Sequence, residues 1–385
     1  MTAPEPRPYR LDVPDDVLDD LRERLARTRW PDEIPGSGWR YGTDLAFMRR
    51  LTDRWRDGFD WRAQEAKLNA FDQFKVPLDG IDVHFIHQQG VGPDPLPLLL
   101  VHGWPGSVWE FHELIPRLTD PARFGGDPAD AFTVVAPSLP GYTLSFEPNQ
   151  PRLGIVEMAD LFARLMSDVL GYGRWAAQGG DWGGYIVGRL AHAHAGRLVG
   201  AHLNLLPLPL DLPFPGEPTA EHRAYLEEVR HWQAEEVGYS TIQGTRPQTP
   251  AYALTDSPAG LAAWIAEKFY VWTDNDGDVE AAVPLDSLLT NITLYWVTGA
   301  INSSFWPYYA RRHEPWPIPD TRSPTPTAYA SFPREIRHPP RALAEQVFTI
   351  ERWTEMPRGG HFAALEAPDL LAADVTAFFG SLRGR

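Results

Sequence analysis

Between residues 96 and 206, short apolar runs of strand length alternate with stretches of helical periodicity. This rhythm narrows the available folds more than any other feature of the chain. Residues 96–101 (LPLLLV), 132–136 (FTVVA), 174–178 and 198–206 read as strands, and 107–118, 155–170 and 181–195 as the helices between and after them. Continuous apolar strands separated by helices argue for a mostly parallel sheet covered on both faces. The alternation lapses at Pro207-Leu208-Pro209 and returns with strands at 327–331 and 347–353 and a last helix near 367–382. The interval 207–318 holds six of the 15 Trp and reads as an inserted helical lid. Residues 1–80 read as helices, with Val17, Leu18, Leu21 and Leu25 on one stripe and a second amphipathic stretch at 44–61. The expected organisation is a helical segment 1–80, a core formed by 81–206 and 319–385, and a lid 207–318.

The most specific local signal is Gly179-Gly180-Asp181-Trp182-Gly183, between an expected strand and an expected helix. Small residues two positions either side of a central side chain allow the tight turn of the α/β-hydrolase nucleophile elbow. Asp181 would also serve simply as a helix cap, and the two roles coincide at a helix start. A carboxylate nucleophile attacks saturated carbon and yields an ester that water must cleave, which suits an epoxide or an alkyl halide better than an acyl substrate. His102-Gly103-Trp104-Pro105-Gly106-Ser107 follows a strand where such folds supply an oxyanion donor, so the amides of Trp104 and Trp182 are the candidates, with His102 structural. Arg358-Gly359-Gly360-His361-Phe362 precedes the last helix and offers His361 as the base. Glu335, directly after a strand, is favoured as its orienting acid, with Asp211 the alternative.

Composition removes other classes. There is no Cys, which excludes disulfides, thiolate metal sites and a Cys nucleophile. The formal charge of −16, from 35 basic and 51 acidic residues, makes nucleic acid and membrane surfaces unexpected partners. His192 and His194 diverge on a helix, so no metal site is expected. No signal-peptide core or stretch of spanning length is evident, and a cytoplasmic protein, monomeric or homodimeric, is expected.

In these motifs the chain resembles the microsomal-type epoxide hydrolases, the group that includes the juvenile hormone epoxide hydrolases. The resemblance covers nearly the whole length: RWRDGFDW at 54–61, IDVHFIH at 81–87, HGWPGS at 102–107, PSLPGY at 137–142, GGDWG at 179–183, DSPAGL at 256–261 and RGGHFAALE at 358–366. It implies an α/β-hydrolase fold whose lid follows the sixth strand. It also implies that Asp181 is the nucleophile, His361 the water-activating base and Glu335 the orienting acid. Tyr239 and Tyr308, or the adjacent Tyr309, correspond to the family's two lid tyrosines that donate to the epoxide oxygen. The substrates are then a small-molecule epoxide and water, with no cofactor. A hydrophobic epoxide, aromatic ones included, is suggested by lid aromatics, with Trp232, Phe269, Tyr270 and Trp306 as wall candidates and Gln233 as a polar contact. Detoxification and secondary-metabolite biosynthesis both suit such an enzyme. Two rivals remain: a haloalkane dehalogenase, with the Trp182 indole on the halide, and a non-catalytic binding protein of hydrolase fold.

Overall fold

The computed structural model describes residues 4–316, 318, 319 and 321–383. Among the described residues nine strands form one sheet: β1 (Arg7–Tyr9), β2 (Gln73–Leu78), β3 (Ile81–Gln88), β4 (Leu96–Val101), β5 (Phe132–Pro137), β6 (Trp175–Gly179), β7 (Leu198–Leu203), β8 (Ser323–Ser331) and β9 (Phe348–Glu355). Their order is β1-β2-β3-β5-β4-β6-β7-β8-β9. From β5 to β9 the neighbours run parallel, while β1, β2 and β3 add antiparallel at the other side. The fold class is the α/β-hydrolase arrangement expected from the alternation and the elbow. Val101, the last residue of β4, pairs with Gly179, the last of β6. The loops after these central strands therefore emerge side by side at the carboxyl edge, where open α/β sheets bind their ligands.

The strand period of two divides the core. Leu99 and Val101 face one hydrophobic cluster and Leu98 and Leu100 the other. Helices Ile155–Arg164 and Asp181–Ala193 cover the first face, and Leu114–Thr119 and Pro368–Gly380 the second. The first cluster continues through lid residues Ile265, Phe269, Leu288 and Ile292 into Leu21, Phe47 and Trp55 of the amino-terminal segment. Lid, sheet face and amino-terminal segment thus share one core. The lid helix Leu285–Thr298 fastens the loop after β4: Asn291 Nδ2 donates to Pro105 O, Ser107 Oγ donates to Asn291 Oδ1, and Tyr295 Oη donates to Gly106 O, each at 2.7 Å.

Four differences from the sequence reading have physical causes. The segment 1–80 is not wholly helical: β1 and β2 extend the sheet, so the lid follows the seventh strand of the chain rather than the sixth. The turn joining β2 to β3 is Asp79-Gly80, both with positive φ (51° and 76°), the two-residue signal of a tight hairpin. The expected helix 44–61 breaks into Leu45–Asp53, a π-turn at Arg54–Gly58 and a new helix from Trp61 capped by Asp60. The expected helix 107–118 is a 3-10 turn at Val108–Phe111 followed by Leu114–Thr119, because Pro116 lacks an amide and fits only in a first turn.

Candidate active site

Asp181 opens the helix Asp181–Ala193 with φ of 47°, a left-handed value unusual for a residue with a Cβ. The turn exists because its neighbours have no side chains. A Cβ on Gly183 would lie 1.9 Å from Val101 O, and one on Gly179 would lie 2.4 Å from Gly183 O. The strained turn lifts the carboxylate above the sheet edge. Its Oδ1 accepts from the Trp104 amide at 2.7 Å, which leaves Oδ2 as the free oxygen. The Trp182 amide lies in the helix's first turn, where amides have no intrahelical acceptor.

His361 Nε2 faces Asp181 Oδ2 at 3.2 Å, and its Nδ1 hydrogen-bonds Glu335 Oε1 at 2.6 Å. The loops bearing the two residues are tied together by the Arg334 amide, which donates to Gly359 O at 3.2 Å. The His361 amide donates to Trp272 O of the lid at 2.9 Å. Both side chains are buried. Burial opposes the imidazolium, but the Glu335 and Asp181 carboxylates on either side outweigh it and hold the His361 pKa well above its ordinary value. Asp211 is exposed on a turn in the lid's approach, and Glu335, not Asp211, meets His361.

Tyr239, on helix Gly238–Thr245, and Tyr308, on Trp306–His313, come together over this group. The Tyr239 ring stacks on Trp104 with centroids 5.3 Å apart, and Tyr308 stands edge-on to Trp182 at 4.7 Å. Burial, then the Asp181 charge, raises the Tyr239 pKa; burial, Tyr239 and Asp181 raise that of Tyr308. Both therefore remain phenols able to donate a proton. Tyr309 stacks between Trp306 and His313 and is not the partner.

Asp181, Tyr239 and Tyr308 line a cavity of about 290 Å³, and Trp232 and Gln233 line it as expected. Phe269 and Trp306 do not. Phe269 is fully buried against Phe362, with centroids 4.0 Å apart, and Trp306 stacks on Tyr309. Tyr270 stacks on Trp39. Lid helices supply aromatic side chains to the core as well as to the cavity, and aromatic spacing alone does not distinguish the two. A second cavity of about 20 Å³, lined by Asp181, His361, Gln178 and Glu110, has room for one water. His102 is structural as expected: its Nδ1 donates to Gly103 O at 3.0 Å, its Nε2 accepts from the Leu139 amide at 3.1 Å, and burial lowers its pKa to about 4.

Four further residues at the site carried no sequence signal. Burial pushes the Glu110 carboxyl up to about 8, so a protonated acid stands beside the small cavity. The buried Lys268 ammonium, paired with Glu267, lies 4.4 Å from the Tyr239 ring centre, a cation–π distance. Arg311 and Arg337 line the larger cavity. No group of three or more His, Cys, Asp or Glu suited to a metal occurs among the described residues. No described helix is long and apolar enough to cross a membrane.

Comparisons with known proteins identify the family. Residues 6–111 match the family model for the epoxide hydrolase N terminus, and 97–225 that for the alpha/beta hydrolase fold. A candidate epoxide hydrolase of Stigmatella aurantiaca (strain DW4/3-1) is 43% identical, over 98% of this chain and 86% of that protein. Epoxide hydrolase 1 of Oryctolagus cuniculus is 37% identical, over 97% of this chain and 88% of its own. The crystal structure of juvenile hormone epoxide hydrolase from the silkworm Bombyx mori superposes with a TM-score of 0.89 at 30% identity, covering 100% of this chain and 96% of that one. The chain belongs to the microsomal-type epoxide hydrolase family.

Proposed function

We propose that the protein hydrolyses a largely hydrophobic epoxide to a vicinal diol through an ester on Asp181. The observation that carries this reading is the line Asp181–His361–Glu335, at 3.2 and 2.6 Å, facing Tyr239 and Tyr308 across one cavity. Asp181 Oδ2 attacks a ring carbon; the C–O bond breaks, and its electrons pass to the ring oxygen, which takes a proton from Tyr239 or Tyr308. Water beside His361 then gives a proton to Nε2 and adds to the ester carbon. The resulting charge falls on Oδ1, already held by the Trp104 amide, with the Trp182 amide as second donor. Collapse expels the diol oxygen, which recovers a proton from His361. Esterification also prepares this second step: it removes one of the two carboxylate charges that keep His361 protonated, and the imidazolium proton returns the tyrosinate to a phenol. After collapse the new Asp181 carboxyl gives its proton to His361, restoring the starting state.

Trp232, Trp182, Val237 and Leu210 on the cavity wall support a hydrophobic substrate body. Detoxification and secondary metabolism both suit that chemistry. The test is incubation with styrene oxide and, separately, 1-chlorohexane. Phenylethanediol without halide release supports the reading, and halide release without diol would replace it with dehalogenation.

A further inference from the structure

The larger cavity has two chemically different ends. Asp181 and Tyr185 lie one helical turn apart on the same face of helix Asp181–Ala193. Tyr308 and Arg311 have the same relation on helix Trp306–His313. The two helices therefore present parallel rows: nucleophile and acid at one end, phenol and guanidinium one turn further along. Arg337 joins that second end from the loop after β8 and also lines the cavity.

Arg337 is 8% exposed, yet among the described residues it forms no ion pair. Its Nη2 donates to Tyr185 Oη at a long 3.4 Å, and its Nε has no hydrogen-bond partner. The Arg311 guanidinium lies 4.3 Å from the centre of the Tyr185 ring. Burial works against ionisation of the Tyr185 phenol, but the two guanidinium charges outweigh it and lower its pKa. A buried cation with an unused donor is costly unless an anion meets it. Of the nearby acids, Glu335 meets His361 through Oε1 and favours the Arg337 charge without a hydrogen bond or ion pair to it, and Glu228 is engaged on His338.

From the unpaired Arg337 beside Arg311 and Tyr185, one helical turn from Asp181, we infer that the substrate is an epoxide bearing a carboxylate at the end remote from the ring. This rests on the Asp181 reading and narrows it: a hydrophobic body spans the aromatic middle, and the anion takes the free donors of Arg337. A planar carboxylate matches the guanidinium fork.

The test compares 4-(oxiran-2-yl)benzoate with its neutral near-isostere 4-(oxiran-2-yl)benzamide on the full-length protein. The wild type is expected to favour the carboxylate in kcat/KM by about tenfold or more, the scale of one charge-assisted hydrogen bond. Arg337→Leu is expected to collapse that ratio toward one, with the loss falling on the carboxylate, and Arg337→Lys to restore part of it. A wild type that favours the amide, or an Arg337→Leu protein in which both substrates fall together with the ratio preserved, overturns the inference. If Arg337→Leu does not fold, the wild-type ratio and inhibition by 4-ethylbenzoate against 4-ethylbenzamide decide the matter alone. If neither epoxide is turned over, the proposed function fails. Calorimetric binding of 4-ethylbenzoate but not 4-ethylbenzamide would still uphold the anion site, and equal or absent binding of both would overturn it as well.

Discussion

His361 Nε2 and Asp181 Oδ2 face each other at 3.2 Å, and the Asp181 carboxylate helps set the charge state of His361. With Asp181 ionised, Asp181 and Glu335 hold an imidazolium between them against the cost of burial. Once Asp181 is esterified only Glu335 remains, and the ring gives up its proton more readily. Ester cleavage therefore rises with pH through a midpoint that lies below the His361 pKa of the free enzyme. Comparison of the pH profile of ester cleavage with NMR titration of His361 checks this; equal midpoints would contradict it. Glu335→Gln should lower the free-enzyme value.

In the proposed mechanism His361→Gln keeps the nucleophile but removes the base. The ester should form and persist, because general-base assistance contributes on the order of 10²–10⁴ in rate. Intact-protein mass spectrometry after mixing with styrene oxide should then show one substrate mass added. Asp181→Asn should show none, and the same adduct on that variant would place the nucleophile elsewhere.

Tyr239→Phe and Tyr308→Phe should each slow alkylation by about 10–10² while leaving ester cleavage largely intact, since the proposed mechanism uses them only at the leaving oxygen. Lys268→Met, which removes the cation over the Tyr239 ring, should slow alkylation less, by about tenfold at most. On a Tyr239→Phe background the same change should have little further effect. Rapid-quench measurement of the burst separates the two steps.

Glu110 gives a pH-dependent stability signature. Its carboxyl is raised from 4.5 to about 8, chiefly by burial, so between those values the native state holds a proton that the unfolded chain has lost. Its contribution to stability is present below about 4.5 and declines as pH rises towards 8, by at most about 1.4 kcal/mol per pH unit. Glu110→Gln cannot ionise, so it should gain on the wild type from pH 5 to pH 8 in urea denaturation. A stability difference that does not vary with pH would contradict this.

The parts legible in the sequence were those written in local chemistry. The apolar runs of β4 and β5 could be nothing but buried strands. Asp181 and His361 each sit in glycine-rich loops whose backbone needs are visible residue by residue. β2 escapes the sequence reading although Asp79-Gly80 marks its hairpin, because Pro77 and the mixed polarity of Gln73–Leu78 hide a strand flanked on its outer side only by the three-residue β1. Phe269 and Trp306 were misplaced because helical spacing marks a packed face without telling core from cavity. Arg337, Arg311, Lys268 and Glu110 left no trace, since a charged side chain reads as surface until distant elements close over it.

The central claim is that the diol oxygen passes through Asp181. A single turnover with less styrene oxide than enzyme, run in ¹⁸O water, tests it most directly. The account predicts diol without label and a gain of one ¹⁸O in the peptide containing Asp181, because water attacks the ester carbon and not the epoxide. Label in the first-turnover diol, with Asp181 unlabelled, would mean direct attack by water and would contradict it.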